Sequence, residues 1–220
     1  MYTLFNPENK FWNFMGKIAD VACMSLLWLV TSLPIFTIGA STTAFYRFTL
    51  DAVTDNEGKV LGTYFSAFKE NFKKATLLWL TQLALGVCLG INLYAAWKFY
   101  LAKGIVALAF LSLAACAMLV LICCGFYLYP ILATYDFPLK KILTDSFVMA
   151  IGNLHVTISL MVVFLLAAVC TYYLSGLFFF WVGLAFFFSS YFIWGLFQKY
   201  AGVKVEKKKK RKKTSANPYL

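Results

Sequence analysis

Apolar runs of about twenty residues are the feature that most restricts what this chain can fold into. A helix needs roughly 20 apolar residues to cross the ~30 Å hydrocarbon layer of a bilayer. The chain is 62% hydrophobic and only 13% charged, whereas a soluble domain carries about a quarter charged residues. We therefore predict an all-α, polytopic membrane helix bundle with interfacial amphipathic helices. The five strongest spans are predicted at residues 18–34, 75–97, 105–129, 154–174 and 176–197.

A sixth apolar segment, residues 39–54, differs from the others because it is short and rich in Gly, Ala, Ser and Thr. Its sixteen residues would give a helix roughly 24 Å long, which is marginal for a full crossing. Pro34 and Gly39 permit a tight reversal between this segment and the preceding span. We predict that the segment is a short second helix of the bundle.

Basic residues distinguish six crossings from five. With six crossings only Lys98 and Lys103 lie outside, whereas five crossings would also place Lys10 and Lys17 there. Because lysine and arginine favour the cytosolic side, we predict six crossings, with both termini cytosolic.

The carboxyl-terminal tail accounts for much of the net charge of +11. Residues 1–199 are predicted to form one membrane domain, and residues 200–220 a polybasic, disordered cytosolic tail. A basic cluster next to a membrane span is typical of binding to anionic lipid headgroups, so we expect lipid and not nucleic acid as its partner.

Two amphipathic stretches are predicted to lie at the membrane interface, residues 60–75 and a second that starts near Asp136. Gly86 and Gly90 form a G-x-x-x-G pattern, which predicts close helix packing and self-association. In the last span, Gly176, Gly183 and Ser190 follow each other at intervals of seven residues. We expect this small-residue seam to face the bundle and the many aromatic residues of that span to face lipid.

The first hairpin holds the candidate polar site. An ionisable residue at membrane depth is a hypothesis for a functional site, and Arg47 and Asp51 can pair at i, i+4. The alternative is that these side chains only hold the short helix to its neighbours. The predicted site residues are Asp20, Thr42, Thr43, Tyr46, Arg47 and Asp51.

Catalytic and cofactor motifs are not evident. The sequence contains no phosphate-binding loop, no dinucleotide glycine fingerprint and no H-E-x-x-H zinc motif. One histidine, His155, does not build a metal site by itself, and the six cysteines fall within apolar runs, where cysteine packs as a small hydrophobe. We predict a non-enzymatic protein without cofactor or metal.

The stretch SLPIFTIGASTTAFYR, followed by TYFSAFKENFKKATLLWL, resembles the YesL family of predicted bacterial integral membrane proteins, a domain of unknown function. The resemblance covers almost the whole chain but not the lysine tail. It implies a helical protein of the bacterial plasma membrane, often encoded beside systems for carbohydrate uptake and degradation. It supplies no catalytic residues.

Two hypotheses about function follow. The first is a membrane component that assists carbohydrate uptake or its regulation, for example by binding a sugar transporter. The second is a small solute transporter or channel. It predicts that five polar residues converge on a cavity, namely Arg47, Asp51, Gln82, Asn92 and Asn153.

Overall fold

The computed structural model describes residues 10–54, 60–103 and 105–200, and the elements within these ranges are helical. Short 3₁₀ turns at Ile35–Thr37 and Ser175–Leu177 precede the second and the last α-helix. The predicted all-α membrane bundle is confirmed, and the predicted tail lies outside the described residues apart from Tyr200. In chain order the helices are α1 (Lys10–Ser32), α2 (Ile38–Val53), α3 (Val60–Lys103), α4 (Ile105–Thr134), α5 (Leu139–Gly152), α6 (Leu154–Tyr173) and α7 (Phe178–Tyr200).

Five helices of the described ranges contain a stretch that is long and apolar enough to cross a membrane. They are α1, α3, α4, α6 and α7, so they correspond to the five strong spans of the sequence. The sixteen residues of α2 do not reach this length. A sixth crossing by α2 therefore stays a prediction.

α3 is much longer than the span predicted within it. Its 44 residues form one helix of roughly 66 Å, about twice the thickness of the hydrocarbon layer. The stretch predicted as a separate interfacial helix is therefore the beginning of α3. Tyr64, Ala67 and Asn71 in this stretch are buried, whereas Leu61 and Phe65 are exposed.

α5 matches the second predicted amphipathic helix. It starts directly after Pro138, whose missing N–H costs nothing at a helix start. Ile142 and Ser146 face the protein and are fully buried, whereas Leu143 and Phe147 remain about half exposed.

α3 and α4 form an antiparallel hairpin whose register fixes the two ends of the bundle. Lys74 Nζ lies 2.7 Å from Asp136 Oδ1, and Tyr129 Oη donates to Gln82 Oε1 at 2.9 Å. Lys98 follows Lys74 by twenty-four residues, or roughly 36 Å along the helix. We call the end that holds the Lys74–Asp136 ion pair the Lys74 end.

The hydrophobic core lies toward the Lys74 end. It includes no residue of α3 beyond Trp79 and no residue of α4 before Cys123.

In α7 the aromatic residues are divided between core and surface, because Phe186 and Phe187 are buried while Phe188 is 43% exposed. The expectation that the aromatic residues of this helix face lipid is thus wrong for its buried half.

Two contacts locate α2 along the bundle. Near its start, a Cβ atom on Gly39 would lie 2.5 Å from the carbonyl oxygen of Ala75, one residue from Lys74. Eight residues later, or roughly two turns, Arg47 Nη1 donates to the carbonyl oxygen of Ala133, three residues before Asp136. Both contacts lie near the Lys74 end, which favours a helix that stays there over one that crosses the membrane.

Candidate functional site

α2 is the helix on which the predicted polar site is built, and it lies in the interior of the bundle. It packs against α1, α3, α4 and α7. Eleven of its sixteen residues are buried, namely Gly39 to Tyr46 and Phe48 to Leu50. A helix enclosed in this way needs small side chains, because small residues allow the backbones of neighbouring helices to approach closely.

The closest approach is that of α2 to α3 at Gly39. An added Cβ atom there would lie 2.5 Å from the carbonyl oxygen of Ala75 and 2.6 Å from Trp79 Cβ. The indole Nε1 of Trp79 also donates to the carbonyl oxygen of Ile35 at 2.8 Å. The turn between α1 and α2 is therefore fixed directly onto α3.

The hydroxyl groups of α2 are used within the bundle. Thr43 Oγ1 donates to the carbonyl oxygen of Gly39 at 2.8 Å, and this pattern of bonding to the preceding turn recurs at Ser41 and Thr49. Thr42 Oγ1 accepts a hydrogen bond of 3.3 Å from Trp28 Nε1 on α1. These bonds satisfy polar groups that would be costly to bury alone.

Contacts between α2 and α7 include a fully buried polar pair. Thr49 Oγ1 and Ser190 Oγ lie 2.7 Å apart, and both residues are fully buried. One turn earlier, Ser189 Oγ donates to Tyr46 Oη at 3.3 Å. The Tyr46 ring packs edge-on against Phe186, with ring centroids 4.9 Å apart. Tyr46 therefore joins α2 to α7 through both its hydroxyl and its ring.

Arg47 links α2 to the end of α4. Its Nε lies 3.2 Å from Asp51 Oδ2, and its Nη1 donates to the carbonyl oxygen of Ala133 at 3.4 Å. α4 ends at Thr134, so this carbonyl is one of the last four, which have no partner inside the helix. A cation at this position also complements the negative end of the helix dipole.

Lys74 makes a second cationic contact just beyond the same helix end. Besides the ion pair with Asp136, its Nζ donates to the carbonyl oxygen of Phe137 at 3.4 Å. The last turn of α4 is thus contacted by Arg47 from α2, and the segment that follows α4 by Lys74 from α3. Arg47 is about a third exposed and the Lys74 pair is more exposed still, so both contacts are open to solvent screening.

The structure brings together most, but not all, of the predicted site. Thr42, Thr43, Tyr46, Arg47 and Asp51 lie on α2 and make the contacts described above. Asp20 lies on the exposed side of α1, and no hydrogen bond or ion pair joins it to α2 among the described residues.

The five polar residues of the transporter hypothesis do not converge among the described residues. Gln82 bonds with Tyr129 between α3 and α4. Asn92 is exposed, and its amide donates to Cys88 of its own helix. Asn153 lies between α5 and α6, where its amide donates to Tyr200 Oη at 2.9 Å.

The two glycines of the predicted G-x-x-x-G face have different neighbours within one copy of the chain. A Cβ atom on Gly86 would lie 3.8 Å from Leu121 Cδ2, so Gly86 faces α4, whereas nothing lies within 4 Å of one on Gly90. Self-association through both glycines stays a prediction.

In the described ranges, no three His, Cys, Asp or Glu side chains come together as a possible metal site.

Several partners of the site could not be read from the sequence. Ala133 contributes only a carbonyl oxygen, and Trp79 is one of several tryptophans in apolar helices. Ser190 was foreseen as part of a seam facing the bundle, but not as the partner of Thr49. The sequence signal for the inward orientation of Ser190 was its spacing of seven residues from Gly183. A Cβ atom on Gly183 would overlap Ser25 Oγ, so α7 touches α1 there.

Comparison with known proteins identifies a similarity in the part of the chain that contains α2. A family model described as "Protein of unknown function, DUF624" matches residues 21–93, which is less than half of the chain. No curated protein and no solved structure matches the chain. The matched residues run from α1 through α2 into α3 and include Gly39, Arg47 and Trp79. In this region the chain is similar to a family without a known function.

Proposed function

We propose that the chain is a non-enzymatic protein of the bacterial plasma membrane that assists carbohydrate uptake or its regulation by binding a transporter. The carbohydrate role rests on the resemblance to the YesL family. The non-transporting role is supported by one observation: the polar side chains of α2 bond to neighbouring helices. Thr49 with Ser190 and Arg47 with Ala133 are two such contacts.

The transporter alternative requires polar groups that are available to a solute. Solute sites in membrane proteins are built from inward-facing polar or ionisable residues around a cavity. Here Gln82, Asn92 and Asn153 lie in three separate surroundings, and Gln82 is already bonded to Tyr129. The arrangement supports a bundle held together by its polar residues.

A flux assay separates the two functions. We would reconstitute the purified full chain into liposomes and measure entry of radiolabelled mono- and disaccharides, beside empty liposomes and a known sugar permease. We expect the chain to add no flux. Saturable entry of any sugar would overturn the accessory role in favour of transport.

An uptake assay in cells tests the carbohydrate role. In a bacterium that carries the gene, deletion is expected to lower uptake of one class of sugar through a separate transporter, and expression of the chain should restore it. Uptake of amino acids serves as the control. Unchanged uptake across the sugar panel would refute the carbohydrate role.

A binding assay tests the transporter partner. We would place a photo-crosslinking residue at one of two exposed positions in separate variants, Leu143 on α5 or Leu165 on α6. A crosslink to a sugar-transport component from either position supports the proposal. Crosslinks to no transport component from these positions would contradict it.

A further inference from the structure

The half of the α3–α4 hairpin away from the Lys74 end lies beyond the hydrophobic core of the described residues. The hydrophobic core stops at Trp79 in α3 and begins at Cys123 in α4. Beyond these points large apolar side chains are widely exposed, with Ile91 at 64% and Leu113 at 69%. Lipid can cover such side chains, so their exposure does not by itself indicate a protein partner.

One stripe of α3 in this half has the spacing of a helix–helix contact. Its residues follow each other at intervals of four, three, four and three, the repeat that keeps a seam facing a second helix. It is a different face from the one that meets α4, to which Gln82 and Gly86 belong. We call it the α3 seam, and it consists of Thr81, Leu85, Cys88, Asn92 and Ala95.

Asn92 makes the α3 seam unsuitable for lipid alone. The residue is exposed, and the hydrogen bond formed by its amide goes to the carbonyl oxygen of Cys88 in the same helix, at 2.8 Å. It lies six residues, or roughly 9 Å, before Lys98, the last residue of the candidate membrane span Leu61–Lys98, so we place it within the hydrocarbon layer. A polar group in hydrocarbon without a full set of partners is costly, and asparagine commonly hydrogen-bonds across helices in membranes.

The chemistry of the amide indicates the partner. A primary amide offers both donors and an acceptor, so two copies related by a two-fold axis can satisfy each other. The other seam residues are small, apart from Leu85, and would let two helices approach closely. Four of the five seam residues are exposed.

We propose that two copies of this chain associate through the α3 seam, with the two Asn92 amides hydrogen-bonded across the two-fold axis. This contact goes beyond the proposed accessory function and does not depend on it. It uses a different face of α3 from the predicted Gly86–Gly90 contact, and Gly86 faces α4 within one copy.

Native cysteines provide the test. Cys88 belongs to the seam, while Cys23 on α1 and Cys116 on α4 are also exposed but lie outside it. We would prepare three full-length variants that each keep one of these cysteines and treat native membranes with a membrane-permeant oxidant. A disulfide requires Cβ atoms about 4 Å apart, so we expect the Cys88 variant to form a covalent dimer and the other two to remain largely monomeric.

Substitution of Asn92 tests the amide pairing. In the Cys88 background, Asn92→Leu should lower the yield of dimer about threefold or more, whereas Asn92→Gln should retain it. Because Asn92 is exposed, each variant is expected to keep the helical circular dichroism spectrum of the parent, which serves as the control for folding. Equal crosslinking of Cys88, Cys116 and Cys23, or no crosslinking at Cys88, would overturn the seam. An unchanged yield with Asn92→Leu would overturn the amide pairing.

Discussion

Replacing Gly39 with alanine tests the contact on which the position of α2 depends. The added Cβ atom would lie 2.5 Å from the carbonyl oxygen of Ala75 and 2.6 Å from Trp79 Cβ. Carbon atoms normally approach to about 3.5–4.0 Å. Both obstructing atoms belong to the backbone or to a Cβ position, so no change of side-chain rotamer can remove them. α2 must therefore move away from α3 by about 1 Å.

The matched control is Gly90→Ala, the same substitution in α3 at a position where a Cβ atom meets nothing within 4 Å. Alanine favours a helix over glycine by about 1 kcal/mol at either position, so this gain cancels when the variants are compared. What remains is the cost of overpacking, about 1–3 kcal/mol. The shift would also lengthen the hydrogen bond from Trp79 Nε1 to the carbonyl oxygen of Ile35, now 2.8 Å.

Thermal unfolding in detergent, followed by tryptophan fluorescence, measures this difference. For a chain of this size each kcal/mol shifts the unfolding midpoint by about 2–4 °C, so Gly39→Ala should unfold roughly 2–12 °C below Gly90→Ala. If Gly39→Ala unfolded at the temperature of Gly90→Ala or above it, the close packing of α2 on Ala75 would be refuted.

Two further predictions concern Arg47 and the orientation of the first turn. Arg47→Met removes a charge-assisted hydrogen bond to Ala133 at the end of α4. Because the Arg47 side chain is partly exposed, we expect the free energy of unfolding to fall by about 1 kcal/mol. The control is Lys73→Met, a change at an exposed position of α3 that should alter the free energy of unfolding little. An equal effect of both changes would exclude a specific capping role. In intact cells a membrane-impermeant maleimide should label cysteine at Lys98 but not at Phe36, because the first turn lies near the Lys74 end and basic residues favour the cytosol. Labelling at Phe36 would instead support six crossings.

Much of the fold could be predicted from the sequence because spans in a bilayer are set by length and apolarity alone. The predicted segment 39–54 corresponds closely to α2 (Ile38–Val53). The continuation of α3 through residue 75 was not foreseen. The amphipathic stretch and the following span carry different patterns, but no helix breaker separates them, so the backbone continues as one helix.

The faces of α7 were harder to predict for a different reason. In a run where aromatic residues are nearly continuous, hydrophobicity has no period and cannot separate the inner face from the outer one. Ser190 and Gly183 were informative because small and polar residues are exceptional there. Phe186 and Phe187 are buried by helices distant in sequence, and no local pattern encodes that contact.

The composition of α2 follows from its interior position in the bundle. A lipid-facing helix has no reason to give up large apolar side chains, and a loop outside the membrane has no reason to avoid charge. A helix surrounded by protein needs small residues such as Gly39 for close approach and hydroxyl groups that can bond to their own backbone, as Thr43 does. The charged residues, Arg47 and Asp51, can then occur near its last turns, where the helix reaches the more exposed edge of the bundle. Asn92 departs from this pattern, because it is a hydrogen-bonding side chain on an exposed face of α3. In the proposed dimer, the second copy of the chain would bury it.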